Sequence, residues 1–139
     1  MKTEFFGYEQ IVNHDGLQER ILSLIETKRE GDFWDFKLEH HENRADLLHD
    51  ILCMANSLND KDCFIILGVE DQTGIICGVE KNSTRRSQQQ LIDFLKSKEF
   101  CGDYRPIVEL HTFIIENHDV DVITVLNTMN TPYYLKKDR

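Results

Sequence analysis

A chain of 139 residues is the size of one domain and too short for two sizeable cores. Its 40% apolar and 29% charged residues, with two prolines and seven glycines, exclude a disordered, collagen-like or low-complexity protein. The net charge of −9 counts against a passive nucleic-acid binder, which displaces counterions with a basic surplus, and leaves either a local basic patch on an acidic body or an acidic, metal-assisted site.

From Met1 to Gln10 there is no long apolar stretch, and Glu4 and Glu9 intervene, so no signal peptide is expected. The longest apolar run, 63–69, is far below the ~20 residues of a membrane span. Cys53, Cys63, Cys77 and Cys101 form no C-x-x-C pair and read as reduced thiols of a cytoplasmic protein.

Phe5, Phe6 and Tyr8 suggest an N-terminal packing arm. Asp15, with Gln18 as capping-box partner, predicts a helix start. Leu17, Ile21, Leu24 and Ile25 recur at helical spacing, and Gly31 is expected to end the element. Phe33–Leu38 alternates as a strand, which puts Asp35 and Lys37 on one face. A second helix is predicted with a cap at Asn43 and a buried side of Leu47, Leu48, Ile51, Leu52 and Ala55. The continuous apolar run Cys63–Val69 predicts a strand covered on both faces. It is followed by a turn in which Gly74 takes positive φ, and by a returning strand, Ile75–Val79. Thr84–Lys96 predicts a third helix. Val108–Ile115 and Val120–Val125 predict a hairpin turned through Glu116–Asp119. The fold class is therefore α/β (α+β): a single domain over 1–139, with a mixed β-sheet and helices packed against it.

The placement of the acids carries the chemistry. Asp71 follows the most buried strand, while Glu30 and Asp35 bracket the start of another. Carboxylates held at strand ends by a rigid sheet suit a divalent cation such as Mg²⁺ or Mn²⁺, and Lys37 beside Asp35 would stabilise charge developing on a phosphate. The same acids also read as turn formers and solvated surface groups. Arg85, Arg86, Lys136 and Lys137 are candidate phosphate contacts beside Lys37, although Arg85 and Arg86 also read as a solvated helix turn. His40, His41 and His49 cluster near the second helix and read as surface or capping residues, and His14 as a neighbour of the Asp15 cap. Asn56 reads as a helix C-cap. There is no G-x-x-x-x-G-K-[ST] phosphate loop and no G-x-S-x-G elbow.

The segment Glu30-Gly31-Asp32-Phe33-Trp34-Asp35-Phe36-Lys37 resembles the E-x-x-x-x-E-F-K opening of the Schlafen-type AlbA-like domain family. Ile51-Leu52-Cys53-Met54-Ala55-Asn56-Ser57 is similar to that family's A-x-A-N-T/S helix end. Phe64 through Asp71, with Gly74-Ile75-Ile76 and Gly78, is similar to its strand, G-V-x-D turn and G-x-I-x-G return. Thr131-Pro132-Tyr133-Tyr134-Leu135-Lys136 resembles its P-Y-Y segment. The blocks occur in order over about 26–136. The resemblance implies a mixed-sheet domain that binds nucleic acid and, in some members, is a metal-dependent endoribonuclease acting on structured RNA such as tRNA. It assigns the acidic triad to Glu30, Asp35 and Asp71, and suggests that the Asn56 amide braces the loop carrying Asp71. Other members are described as DNA-binding regulators or ATP-binding proteins, so a non-catalytic DNA-binding module stays open, as does an acidic protein-interaction or dimerisation domain. Three departures stand out. Asp35 replaces a glutamate, Leu58–Asp62 lacks the family's paired glycines, and the sequence stops before the usual closing strand. The last suggests an edge strand that is missing or supplied by a second copy in a homodimer.

Overall fold

The strand Cys63–Leu67 (β2) is buried at every position, because the sheet carries helices on both faces. The computed structural model describes residues 16–57, 60–129 and 131–136; the expectations for the N-terminal arm, His14, Asp15, the 58–59 turn residues and Lys137 lie outside them. In chain order the named elements are a helix over 16–26 (α1), Trp34–Lys37 (β1), Arg44–Ala55 (α2), β2, Gln88–Lys96 (α3), a 3₁₀ turn at Cys101–Asp103, Val108–Ile115 (β3) and His118–Val125 (β4). The four strands form one mixed sheet in the order β1-β2-β4-β3. β1 is parallel to β2, and the other neighbours are antiparallel. No helix among the described residues is long and apolar enough to cross a membrane.

Alternation along β2 divides the core. Cys63, Ile65 and Leu67 pack with Leu47, Leu48 and Ile51 of α2 and Leu91, Phe94 and Leu95 of α3. Phe64 and Ile66 face the other way, onto Ile21, Leu24 and Ile25 of α1. Each such buried aliphatic side chain contributes about 1.5–3 kcal/mol of transfer free energy. In the β1–β2 register Asp35 lies beside Ile65 and Lys37 beside Leu67, while Phe36 lies beside Ile66. The apolar members of β1, Trp34 and Phe36, therefore join the α1 layer, and its two charged members are turned to the α2 face.

Several predicted boundaries shift, each for a local reason. α1 stops at residue 26, five before Gly31, and Lys28 turns the chain with φ 59° and donates its N–H to the Ile25 carbonyl. Gly31 serves instead as the floor under the Trp34 indole, which a Cβ would approach within 2.1 Å. The returning strand expected at Ile75–Val79 reduces to one bridge, Val69 to Ile76, because Gly74 and Gly78 take positive φ and interrupt the ladder. Gly74 has φ 72°, as anticipated, and lies against the Ile25 carbonyl and Lys28. α3 begins at Gln88 rather than Thr84, since Ser87 and Gln90 form a capping box. The β3–β4 hairpin turns through only Glu116 and Asn117, at φ 53° and 65°, the pair of positive values that a two-residue type I′ turn requires. α2 starts as anticipated, with the Asn43 side chain accepting from the Ala45 N–H.

Candidate functional site

The two charged side chains of β1 meet the middle of α2. Lys37 Nζ lies 3.4 Å from Asp35 and 3.6 Å from Asp50, and Asp50 is also 2.7 Å from His41 Nε2. Burial pulls the Lys37 ammonium down, but Asp35 and Asp50 outweigh it and leave its pKa above the ordinary lysine value. β1 is an edge strand, so its outward N–H groups lack a sheet partner. The Phe36 N–H finds one in Glu30, donating to Oε2 at 3.2 Å. That bond draws the Glu30 carboxyl against Asp35. Their mutual hydrogen bond, burial and the Asp35 charge push the Glu30 pKa from 4.5 up to about 7, and Asp71 adds to the rise.

Asp71 is carried by the exposed turn after β2, where the Glu70 N–H donates to the Ile75 carbonyl and the Gly74 N–H to the Glu70 carbonyl. This turn rests through Gly74 on the end of α1, which places Asp71 within electrostatic reach of Glu30. Glu30, Asp35 and Lys37 thus come together directly, with Asp71 on the periphery. Among the described residues no three His, Cys, Asp or Glu side chains are assembled as a metal-holding group. Glu30 and Asp35 do form a pair of hard oxygen donors whose repulsion a divalent cation would relieve, and in that respect the donor set fits Mg²⁺ or Mn²⁺.

Beside the acids opens a cleft of about 420 Å³ lined by Arg29, Glu30, Gly31, Asp32, Phe33, Trp34 and Lys61. Trp34 is oriented by its indole N–H, which donates to the Arg29 carbonyl at 2.9 Å, and by edge contact with Phe33 at 4.7 Å. Lys61 lies over the Phe33 ring at 4.7 Å and Arg20 at 5.4 Å. Arg29, Lys61 and the two aromatic rings therefore border the acidic pair, a local group of cations on an acidic body. Trp34, Lys61 and Arg29 were missed as site residues in the sequence, as were Asp50 and His41. The one signal was the position of Trp34 directly before Asp35.

The other predicted phosphate contacts lie elsewhere. Arg85 grips Asp121 of β4 with Nε and Nη2, both at 2.9 Å, and Asp119 with Nη1 at 3.1 Å. Asp121 is fully buried and also accepts from Thr112 at 2.6 Å and from His40 Nε2 at 2.8 Å. The His40 ring proton belongs on Nε2 because Nδ1 accepts the Arg86 N–H. Burial pushes the Asp121 pKa up, but the bonds from His40, Arg85 and Thr112 prevail and hold it well below the usual carboxylate range. The buried His40 is thus part of the fold, where the sequence suggested a surface residue. Lys136 donates its N–H to the Glu99 carbonyl, and its ammonium lies 3.9 Å from Asp103. Asn56 is the C-cap of α2 as anticipated, but its amide braces a different segment. It donates to the Tyr133 carbonyl at 2.7 Å and accepts the Tyr133 N–H at 2.6 Å, fixing the P-Y-Y stretch instead of the Asp71 turn.

Residues 30–139 match the family described as Schlafen, AlbA_2. Among solved structures, the chain is similar to the crystal structure of the DIP2311 protein from Corynebacterium diphtheriae, with 21% identity and a TM-score of 0.57. The likeness, one of fold, covers 87% of this chain and 24% of that one, so the chain spans about a quarter of that protein's length. No curated protein matches the chain.

Proposed function

Because the chain belongs to the Schlafen, AlbA_2 family, we propose that it binds nucleic acid across the Trp34–Lys61 cleft and cleaves structured RNA such as tRNA at the adjoining acids. The observation that carries this reading is the contact of a stacking and cationic cleft with the Glu30–Asp35 pair. An aromatic face accepts any base and contributes ~1–3 kcal/mol per stacked base, while Arg29 and Lys61 supply phosphate contacts that the net charge alone would not suggest.

In this reading Glu30 and Asp35, with Asp71 from the neighbouring turn, hold Mg²⁺ or Mn²⁺. Bound there, the ion supplies Lewis-acid polarisation of a phosphate oxygen and a more acidic water. The chain's own residues do the positioning. The Phe36 N–H fixes Glu30, Trp34 holds a base beside the acids, and Asp35 and Asp50 keep Lys37 charged and aimed, where it steadies charge gathering on the phosphate.

The absence of an assembled three-acid group among the described residues favours a second reading, a non-catalytic binding module. Incubating pooled tRNA with the protein in Mn²⁺, Mg²⁺ or EDTA separates the two. Metal-dependent cutting that falls at least ~100-fold in Glu30→Gln and Asp71→Ala is the expected result. Cutting unchanged in both variants would overturn the assignment of the site, and binding without any cutting would leave the module.

A further inference from the structure

Arg86 stands immediately before the cap of α3, and its Nη1 is buried without a hydrogen-bond partner among the described residues. A buried donor left unpaired costs about 1–3 kcal/mol, more for a charged group. Arg86 lines a cleft of about 240 Å³ between α2 and α3, together with Arg44, Gln90, Asp93, Phe94 and Ser97. Burial and the neighbouring Arg44 charge both lower the Arg86 pKa, as expected for two cations facing one space. Arg44 is itself badly placed for helix stability, since it is the first residue of α2, where the helix dipole disfavours a cation. The Gln90 oxygen is taken by the Ser87 N–H in the capping box, which leaves its amide nitrogen as a further donor at the cleft.

We propose that the Arg44–Arg86 cleft is a phosphodiester-binding site, separate from the acid cluster, that seats one backbone phosphate of the bound nucleic acid. The choice of a singly charged phosphate follows from Asp93. Two guanidiniums facing one carboxylate leave a single positive charge, which one phosphodiester neutralises. Asp93 is kept in place by Gln89, whose amide donates to it at 2.8 Å. The nucleic-acid source of the ligand rests on the function proposed above, whereas the ligand chemistry does not.

The test uses dimethyl phosphate, a phosphodiester without base or sugar, and follows the arginine Nε–H resonances by NMR. Those of Arg44 and Arg86 shift in the wild-type protein, and the affinity falls about tenfold in Arg44→Gln. Arg44 is exposed and unfavourable at the start of α2, so this variant is expected to melt no earlier than wild type. Asp93→Asn, which removes the one negative charge lining the cleft, tightens dimethyl phosphate binding. In parallel, Arg44→Gln lowers the salt slope of RNA binding by about one. No guanidinium shift with dimethyl phosphate, or weaker binding in Asp93→Asn, would overturn the site. Dimethyl phosphate binding with RNA affinity and salt slope unchanged in Arg44→Gln would overturn its nucleic-acid ligand. If wild type binds no RNA at all, the preceding reading fails, and the dimethyl phosphate titration still decides the cleft.

Discussion

Two carboxyl groups in hydrogen-bonding contact cannot both ionise without mutual repulsion, and Glu30 carries the consequence. Its pKa rises from 4.5 to about 7, so between those values the folded chain holds more protons at this site than the unfolded chain does. Stability therefore falls as pH rises through that window, and the cost is complete above about pH 7. Asp35→Asn keeps the shape and removes the carboxyl whose hydrogen bond is the largest cause of the shift and whose charge adds to it. Without metal, this variant is expected to be about 1 kcal/mol more stable than wild type at pH 8, after allowance for solvent screening of the exposed Glu30, and equal to it at pH 4. Urea unfolding at the two pH values measures the difference; the same gain at both would show that the repulsion is not its source. Asp35 and Lys37 were legible as neighbours because alternation in a strand dictates a shared face. Asp50 was not, since nothing local in α2 says which of its polar residues meets β1.

The elements are held in register by one buried network as well as by apolar packing. Asp121 of β4 lies beside Leu67 of β2 and Thr112 of β3, and Arg85 and His40 bring two loops onto it. A charge inside a sheet is tolerated only with such complete pairing. Arg85→Ala is expected to cost about 3 kcal/mol at pH 7, because it strands part of a buried carboxylate. Since the folded pKa of Asp121 is depressed, the stability it contributes is present above the unfolded value near 4 and lost as pH falls through the folded one. The deficit of the variant in thermal melts should therefore shrink below about pH 3, and a constant deficit would place the effect in packing. α2, β2 and the β3–β4 hairpin were readable because each repeats its apolar period over several residues. The Ile75–Val79 segment misled because its apolar residues sit between two glycines of positive φ. Thr84–Arg86 misled because a better cap, Ser87, follows within the same polar run. The partners of Asp121 lie 36 and 81 residues away in sequence, a separation at which no local pattern operates, though an aspartate inside an apolar strand was a sign that some partner must exist.

At the scale of the whole molecule, a net charge of −9 repels a polyanion, and association depends on where the cations stand. Arg20, Arg29 and Lys61 gather around Phe33 and Trp34, while Arg85 is turned inward to Asp119 and Asp121. Total charge could not reveal that division, because it depends on tertiary pairing. The ordered family blocks made the fold and the Glu30–Asp35 neighbourhood readable, whereas the cleft is assembled from residues 29–34 and Lys61, which the sheet brings together. Fluorescence anisotropy with labelled tRNA over a range of salt, comparing wild type with Lys61→Glu, tests the central claim most directly. Binding that weakens as salt rises, with about a tenfold loss in Lys61→Glu and a salt slope reduced by about one, is the expected result. No binding at low salt, or equal binding by the two proteins, would contradict the account.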